Sequence, residues 1–212
     1  LAAVEVDIEP LPAYFDAASA RAPEAVLLHL DKPGNLERTV EHDFGDVEAG
    51  FAAADLVMKR SFHCAELAHG QIELNASVAH WDVEREQLTV HSVTQVPYYL
   101  HLMLAQTLGL DSAAIRVVKP FVGGGFGHRV EPLNFEMVAG ALARAAGGTV
   151  KLELTREETF LTHRARPDSD IHVKIGLTKS GEITAVDAEV VQRGGAYAGY
   201  GLVTILYAGA LL

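Results

Sequence analysis

A run of glycines constrains this chain more than any other feature of its sequence: Val122-Gly-Gly-Gly-Phe-Gly-His-Arg129. It follows a short apolar segment typical of a buried strand, and it precedes a segment with helical periodicity that ends before Gly147. Three consecutive glycines let a backbone approach a ligand closely and leave N–H groups unhindered for an anion. The spacing matches neither G-x-G-x-x-G nor a P-loop. We predict a ligand-binding loop of another kind, and an ordinary flexible turn is the alternative.

The patterns around this loop predict an α+β fold with mixed sheets and packed helices. Alternating or short apolar segments predict strands, and i, i+3, i+4 apolar spacing with suitable end residues predicts helices. The predicted strands are Leu1–Glu9, Arg38–Asp43, Leu56–His63, Val78–Asp82, Gln87–Ser92, Ile115–Val118, Val150–Leu154, Ile171–Leu177 and Ile183–Val191. The predicted helices are Ala13–Ala20, Asp46–Ala54, Pro97–Leu108, Leu133–Ala146 and Arg156–Phe160.

Composition narrows the classes of function. The 212 residues carry 17 Lys and Arg against 28 Asp and Glu, a formal charge of −11, and the basic residues form no cluster, so we expect no nucleic-acid partner. The single cysteine, Cys64, makes no internal disulfide and cannot hold an iron–sulfur cluster by itself, which favours a cytoplasmic setting. The apolar segment 202–212 is too short for a membrane helix, and we expect the chain to be a piece of a longer polypeptide.

Four other segments carry side chains with possible chemical roles. Gln95 ends a predicted strand just before Pro97, and its amide is either a ligand donor or a backbone cap. The segment 63–73 gathers two His, a Cys and two Glu, but its spacing is unlike that of zinc sites, so solvated residues are the favoured interpretation. The basic segment 162–167 suits an anion or a helix end. A second glycine-rich loop, 193–201, holds Tyr197 and Tyr200, which are either proton donors or packing residues.

Taken in order, these features resemble the large molybdenum-binding subunit of the xanthine dehydrogenase family. The resemblance rests on Gly123–Gly127, on Thr94-Gln95, on His69 to Glu73 and on the basic turn at 162–167, and it spans nearly the whole chain. The opening residues are similar to the last strand of the family's preceding hammerhead-like domain. This implies the tail of that domain at 1–30 and a first molybdopterin-binding domain, truncated at its C-terminus, at 31–212.

The resemblance implies a molybdopterin cytosine dinucleotide as cofactor. Gln95 would hydrogen-bond an oxygen ligand of the molybdenum, and Phe126 would line the substrate channel. The family's catalytic glutamate has no counterpart in this chain. The implied cofactor-binding residues are Gln95, Gly124, Gly125, Phe126, Gly127, His128 and Arg129.

Within the family, Val122–Glu136 and Gln192–Tyr197 are most similar to the branch of 4-hydroxybenzoyl-CoA reductases. An acidic residue that helps to hold purines in purine hydroxylases is Val130 here, and a family histidine is Asn75, which disfavours a purine substrate. The implied reaction is reductive dehydroxylation of an aromatic CoA thioester, with Tyr197 or Tyr200 as hypothetical proton donor. The implied partners are an iron–sulfur subunit and a flavin (FAD) subunit in a hetero-oligomer. Oxidative hydroxylation of an aromatic aldehyde or N-heterocycle, and a non-catalytic nucleotide- or partner-binding domain, are the alternatives.

Overall fold

The computed structural model describes residues 5–162, 166–197 and 207 of the chain. Contacts divide the chain into two compact units. The central unit is Leu67–Arg166, and the flanking unit combines Leu1–Glu66 with Pro167–Leu212. The boundary at residue 30 that the resemblance implied stays a prediction.

The central unit is built on a four-stranded sheet of strands β2 (Ala76–Asp82), β3 (Gln87–Ser92), β4 (Ile115–Val118) and β5 (Thr149–Glu153), in the order β4-β3-β2-β5. Strand β2 pairs antiparallel with β3 and with β5, whereas β3 and β4 are parallel. Because β3 and β4 are parallel neighbours, the segments that follow them leave the sheet at the same edge.

Two helices cover this sheet and close its core. Helix α3 (Pro97–Leu108) joins β3 to β4 and ends at Gly109, whose φ of 62° is the left-handed conformation of a glycine C-cap. Helix α4 (Asn134–Ala146) packs on β2 and β5 and ends at Gly147 in the same way. The core consists mainly of aliphatic side chains with no solvent exposure, which are Ala79, Leu88, Val90, Leu100, Leu104, Ala139 and Ala143.

The flanking unit is a three-stranded antiparallel sheet in the order β1-β6-β7. Every residue of β1 (Leu56–Cys64) is exposed, and β6 (Ser169–Leu177) and β7 (Ile183–Gln192) form the predicted hairpin. The helices are short: α1 is Ala17–Ala20, and α2 is Val47–Ala52, which begins after an Asp46 cap. A short 3₁₀ turn spans Pro33–Asn35.

Most predicted elements are confirmed to within a few residues, including α5, which is Arg156–Leu161 in the central unit. One predicted strand, Arg38–Asp43, is wrong, and so is the described part of the first one, Leu1–Glu9, of which residues 1–4 lie outside the described residues. Residues 5–9 of the first and the whole of Arg38–Asp43 lack strand structure, because no described residue pairs with their backbone. The predicted helix Ala13–Ala20 shortens to its last four residues. In the described part of the chain, no helix combines the length and apolarity that crossing a bilayer requires.

Candidate functional site

The glycine loop, defined here as residues 123–129, follows β4 in the central unit, and Gln95 follows β3. The parallel pairing of these two strands places both segments at one edge of the sheet. Backbone contact confirms this, because the N–H of Gln95 donates to the carbonyl of Arg129 at 2.9 Å. The loop and the glutamine therefore form one structural site.

The amide of Gln95 is oriented by the loop. Its Oε1 accepts hydrogen bonds from the N–H groups of Gly127, at 3.1 Å, and Arg129, at 3.3 Å. Two donors converging on one atom identify that atom as the amide oxygen. The Nε2 group of Gln95 is therefore the free end, and it has no acceptor among the described residues. Gln95 itself is exposed, so its two N–H donors are available to a ligand.

Three successive N–H groups of the loop, those of Gly124, Gly125 and Phe126, also lack an acceptor in the described ranges. Gly124 and Phe126 have φ values of 108° and 53°, while Gly125 between them stays outside the positive-φ region. Alternation of this kind is typical of a backbone nest, in which consecutive N–H groups converge on an anion. The loop thus offers backbone donors beside the amide donors of Gln95.

The glycines let the loop backbone lie directly against neighbouring side chains. A Cβ on Gly125 would sit 2.4 Å from Gln95 Oε1, and one on Gly123 would sit 2.8 Å from Glu73 Cβ. At Gly124 the obstacle is the ring of Phe126, at 2.8 Å. Phe126 is a non-glycine residue in the left-handed region, and its ring stays 71% exposed. An exposed aromatic face therefore flanks the backbone donors.

His128 and Arg129, both predicted to bind a cofactor, have buried side chains. His128 Nε2 donates to Asn75 Oδ1 at 3.0 Å, and both residues are fully buried. The guanidinium of Arg129 pairs with Glu73 Oε2 at 2.5 Å and donates to two backbone carbonyls. Both side chains have protein partners below the loop, and their contact with a cofactor stays a prediction.

Sequence reasoning missed a buried carboxylate beneath this site. Glu136, in the first turn of α4, accepts from Ser92 Oγ at 2.5 Å and from the N–H of Leu133 at 2.7 Å. Burial raises the pKa of Glu136, and these hydrogen bonds and the charge of Arg129 offset part of that shift. The contact ties the residues before Gln95 to the helix that follows the loop. A glutamate three residues after a helix start was the signal that could have found it.

The surroundings of the loop are rich in buried donors. Gln71 Nε2, Asn75 Nδ2 and Arg129 Nε have no acceptor among the described residues. Buried polar groups normally find partners, so a surplus of donors around one loop indicates an environment suited to a group with many oxygen acceptors. The buried donors, the backbone nest and the Gln95 amide all indicate a ligand that carries many oxygen acceptors.

The remaining predicted residues lie elsewhere. His63 belongs to the flanking unit, where it contacts Asp170 at 2.8 Å and Asp168 at 3.5 Å, while Arg193 also pairs with Asp168. His69 and Glu73 belong to the central unit, so the segment 63–73 divides between units. Tyr197 is exposed in the flanking unit, with its ring 5.6 Å from that of His29. Tyr200 and residues 163–165 of the basic segment lie outside the described residues.

The fold and site define an α+β domain that presents backbone and amide donors at the ends of two parallel strands, a class suited to an anionic, oxygen-rich cofactor. The family of molybdopterin cofactor-binding domains matches residues 28–212, and the chain belongs to this family. It is the molybdopterin-binding type of domain found in large subunits of the xanthine dehydrogenase family of molybdenum hydroxylases.

Three relatives illustrate the match. The xanthine dehydrogenase molybdenum-binding subunit of Escherichia coli O157:H7 is 30% identical over 198 residues, which is 93% of this chain and 26% of that protein. The nicotinate dehydrogenase large molybdopterin subunit of Eubacterium barkeri is 31% identical over 201 residues, 95% of this chain and 46% of that one. The crystal structure of the aldehyde oxidoreductase from Desulfovibrio desulfuricans superposes with a TM-score of 0.83 at 26% identity, covering 93% of this chain and 22% of that one. The chain thus spans less than half the length of these relatives.

Proposed function

We propose that this chain is the cofactor-binding part of a molybdenum-dependent oxidoreductase that reductively dehydroxylates 4-hydroxybenzoyl-CoA to benzoyl-CoA. One observation carries the cofactor assignment: three loop N–H groups, at Gly124 to Phe126, have no acceptor among the described residues and lie beside an amide whose oxygen the loop holds. The proposed cofactor is molybdopterin cytosine dinucleotide. When bound, its molybdenum would supply the redox chemistry on the substrate.

The residues of this chain would hold the cofactor and shape the space beside it. Backbone donors at Gly124, Gly125 and Phe126 are preorganised, so binding oxygen acceptors there costs little reorganisation. Gln95 would add its Nε2 donors, and Gly127 keeps Gln95 in that orientation. The exposed ring of Phe126 would form an apolar wall against which an aromatic substrate can lie.

The residues after the loop bear on the substrate. Val130 is partly buried and lines a shallow cleft with Tyr99 and Met103, and its apolar side chain offers purines no acceptor or donor. Asn75, which the sequence analysis also took to disfavour a purine, gives no information about the substrate. It is fully buried and bonds His128, so its difference from the family histidine concerns the packing under the loop rather than the substrate. The case for a phenolic thioester therefore rests on Val130, Phe126 and the resemblance of segment 122–136.

The proposed reaction needs electrons and protons from outside the substrate. The phenolic C–O bond breaks, a C–H bond forms at the same carbon, and two electrons and two protons yield benzoyl-CoA and water. A single cysteine, Cys64, cannot ligate an iron–sulfur cluster, so we propose that an iron–sulfur subunit and a flavin subunit deliver the electrons. Tyr197 and Tyr200 are the proposed proton donors.

Oxidative hydroxylation is the second candidate, and the names of the relatives favour it. Those proteins are named for xanthine, nicotinate and aldehydes. The same donors would hold the same cofactor, and the same aromatic wall would accept an aromatic aldehyde or an N-heterocycle. In that reaction the substrate would give two electrons to the partner subunits, release two protons and gain an oxygen atom from water, whereas dehydroxylation releases that oxygen as water.

An anaerobic assay of the intact native complex tests the proposal. We expect benzoyl-CoA from 4-hydroxybenzoyl-CoA in the presence of a strong one-electron reductant, and a loss of at least about tenfold in Gln95→Ala. Gln87→Ala is the matched control, since Gln87 is exposed at the opposite end of β3. Oxidation of nicotinate or an aromatic aldehyde without any benzoyl-CoA would replace the proposal by the second candidate.

A further inference from the structure

We propose that Glu73 is a positioning residue that clamps the two ends of the glycine loop and thereby sets the spacing of the loop N–H groups that have no acceptor in the described part of the chain. The inference deepens the proposed function, because it assumes that these N–H groups hold the molybdopterin cofactor. Glu73 lies between the segment at 67–72 and β2 in the central unit.

One oxygen of Glu73 holds both ends of the loop. Oε2 accepts the N–H of Gly123, the first loop residue, at 2.7 Å, and the guanidinium of Arg129, the last loop residue, at 2.5 Å. The same guanidinium donates to the backbone carbonyls of Glu73, at 3.2 Å, and Leu74, at 3.0 Å. Three hydrogen bonds therefore attach Arg129 to the short segment 73–74.

Burial makes this clamp stiff. The Arg129 side chain is 2% exposed and that of Glu73 is 32% exposed, so the ion pair is largely shielded from water. Charge-assisted hydrogen bonds are stronger than neutral ones, and removal of one partner would leave a buried, uncompensated charge. The absence of a Cβ at Gly123 lets the loop start directly against the Glu73 side chain.

The clamp acts on the nest through geometry. Between the fixed ends, Gln95 holds Gly127, so the N–H groups of Gly124, Gly125 and Phe126 form the one stretch of the loop with no hydrogen-bond acceptor in the described ranges. Fixed ends keep those three donors convergent, which is the preorganisation that binding of an anionic group requires. Glu73 bonds none of the three, so its role is positioning.

Amide hydrogen exchange and cofactor release in the intact complex test the clamp. Glu73→Gln keeps an oxygen acceptor for the N–H of Gly123 but removes the negative charge that pairs with Arg129. Glu73→Asp keeps the negative charge on a shorter side chain. We expect Glu73→Gln to raise both the loop exchange rate and the rate of pterin release by about tenfold, with a partial return in Glu73→Asp. Arg129→Lys provides a second way to weaken the clamp. Glu84→Gln is the control, since Glu84 is exposed in the turn between β2 and β3.

Two results would overturn the clamp. One is a wild-type rate of loop exchange and pterin release in both Glu73→Gln and Arg129→Lys. The other is an equal acceleration of exchange in β2, β3 and the loop, which would mark a purely structural role. A wild-type complex that holds neither pterin nor molybdenum would instead overturn the proposed function, and the exchange rates would still decide the clamp.

Discussion

The two glycine-rich loops of this chain are alike in sequence and differ in what surrounds them. The glycine loop at 123–129 is fixed by Glu73, Gln95 and Arg129, and a Cβ at three of its glycines would collide with a neighbouring side chain. In the flanking loop, a Cβ at Gly195 would have no atom of the described residues within 4 Å. Among its described residues, Arg193 pairs with Asp168, and the carbonyl of Ala196 accepts a hydrogen bond from His29 Nε2 at 2.6 Å.

The difference shows what turns a glycine run into a site. Glycine supplies conformational freedom, which by itself gives a turn. Side chains that accept the loop's hydrogen bonds remove that freedom and leave a chosen set of donors unpaired. The central loop has such acceptors in Glu73 and Gln95, whereas the described part of the flanking loop presents an exposed tyrosine, Tyr197.

The largest expected effect concerns the chemical role of the flanking loop. If a tyrosine there donates a proton, replacing it with phenylalanine removes a general acid, a change typically of about a hundredfold or more. We expect Tyr197→Phe or Tyr200→Phe to lower the turnover of 4-hydroxybenzoyl-CoA by that factor while pterin content stays at the wild-type level. Normal turnover in both single variants would exclude the proton donors from this loop.

The next effect concerns the central loop. Gly125→Ala places a Cβ against Gln95 Oε1 and should displace either the amide or the loop. We expect bound molybdenum and pterin in the intact complex to fall by at least about tenfold, measured by metal analysis and pterin fluorescence. Gly148→Ala is the control, because an added Cβ there would have no atom of the described residues within 4 Å. Equal cofactor content in the two variants would contradict the site.

A smaller effect concerns the buried carboxylate below the central loop. Because the folded-state pKa of Glu136 is raised, the folded chain binds its proton more tightly than the unfolded chain does. The free energy of unfolding should therefore fall as pH rises above 4.5, the ordinary pKa of the group, and through the raised folded pKa. We expect Glu136→Gln to flatten this fall. The free energy of unfolding is measured by urea titration at each pH, followed by the fluorescence of Trp81, the single tryptophan, which is 9% exposed. The same dependence of unfolding free energy on pH in the wild type and in Glu136→Gln would contradict this role of Glu136.

The smallest effect is expected at Gly195. Its φ of 73° disfavours a side chain, so Gly195→Ala should strain the flanking loop by about 1 kcal/mol. Because no described neighbour blocks the added Cβ, we expect the pterin content of the complex to stay the same. A loss of pterin as large as that in Gly125→Ala would remove the distinction between the two loops.

The sequence predicted the parts of this structure that depend on local pattern. Helices α3 and α4 follow from apolar periodicity together with Pro97, Gly109 and Gly147, which act at the helix ends themselves. The strand predicted at Arg38–Asp43 is wrong, since a strand depends on a partner that its own residues do not encode.

The candidate site likewise has parts that the sequence predicted and parts that it did not. The glycine run and the glutamine after β3 are visible as local motifs, and the structure brings them together at one sheet edge. The pairs that support them join residues far apart in the chain: Glu73 with Arg129, and Ser92 with Glu136. No periodicity relates such partners, so their roles emerged only from the folded arrangement.

Amide hydrogen exchange in the intact complex, compared between its cofactor-loaded and cofactor-free forms, tests the central claim most directly. We predict that the amides of Gly124, Gly125 and Phe126 gain at least about tenfold protection on loading, while those at 193–197 do not change. Equal exchange at Gly124–Phe126 in the two forms would contradict the assignment of the glycine loop as the cofactor site.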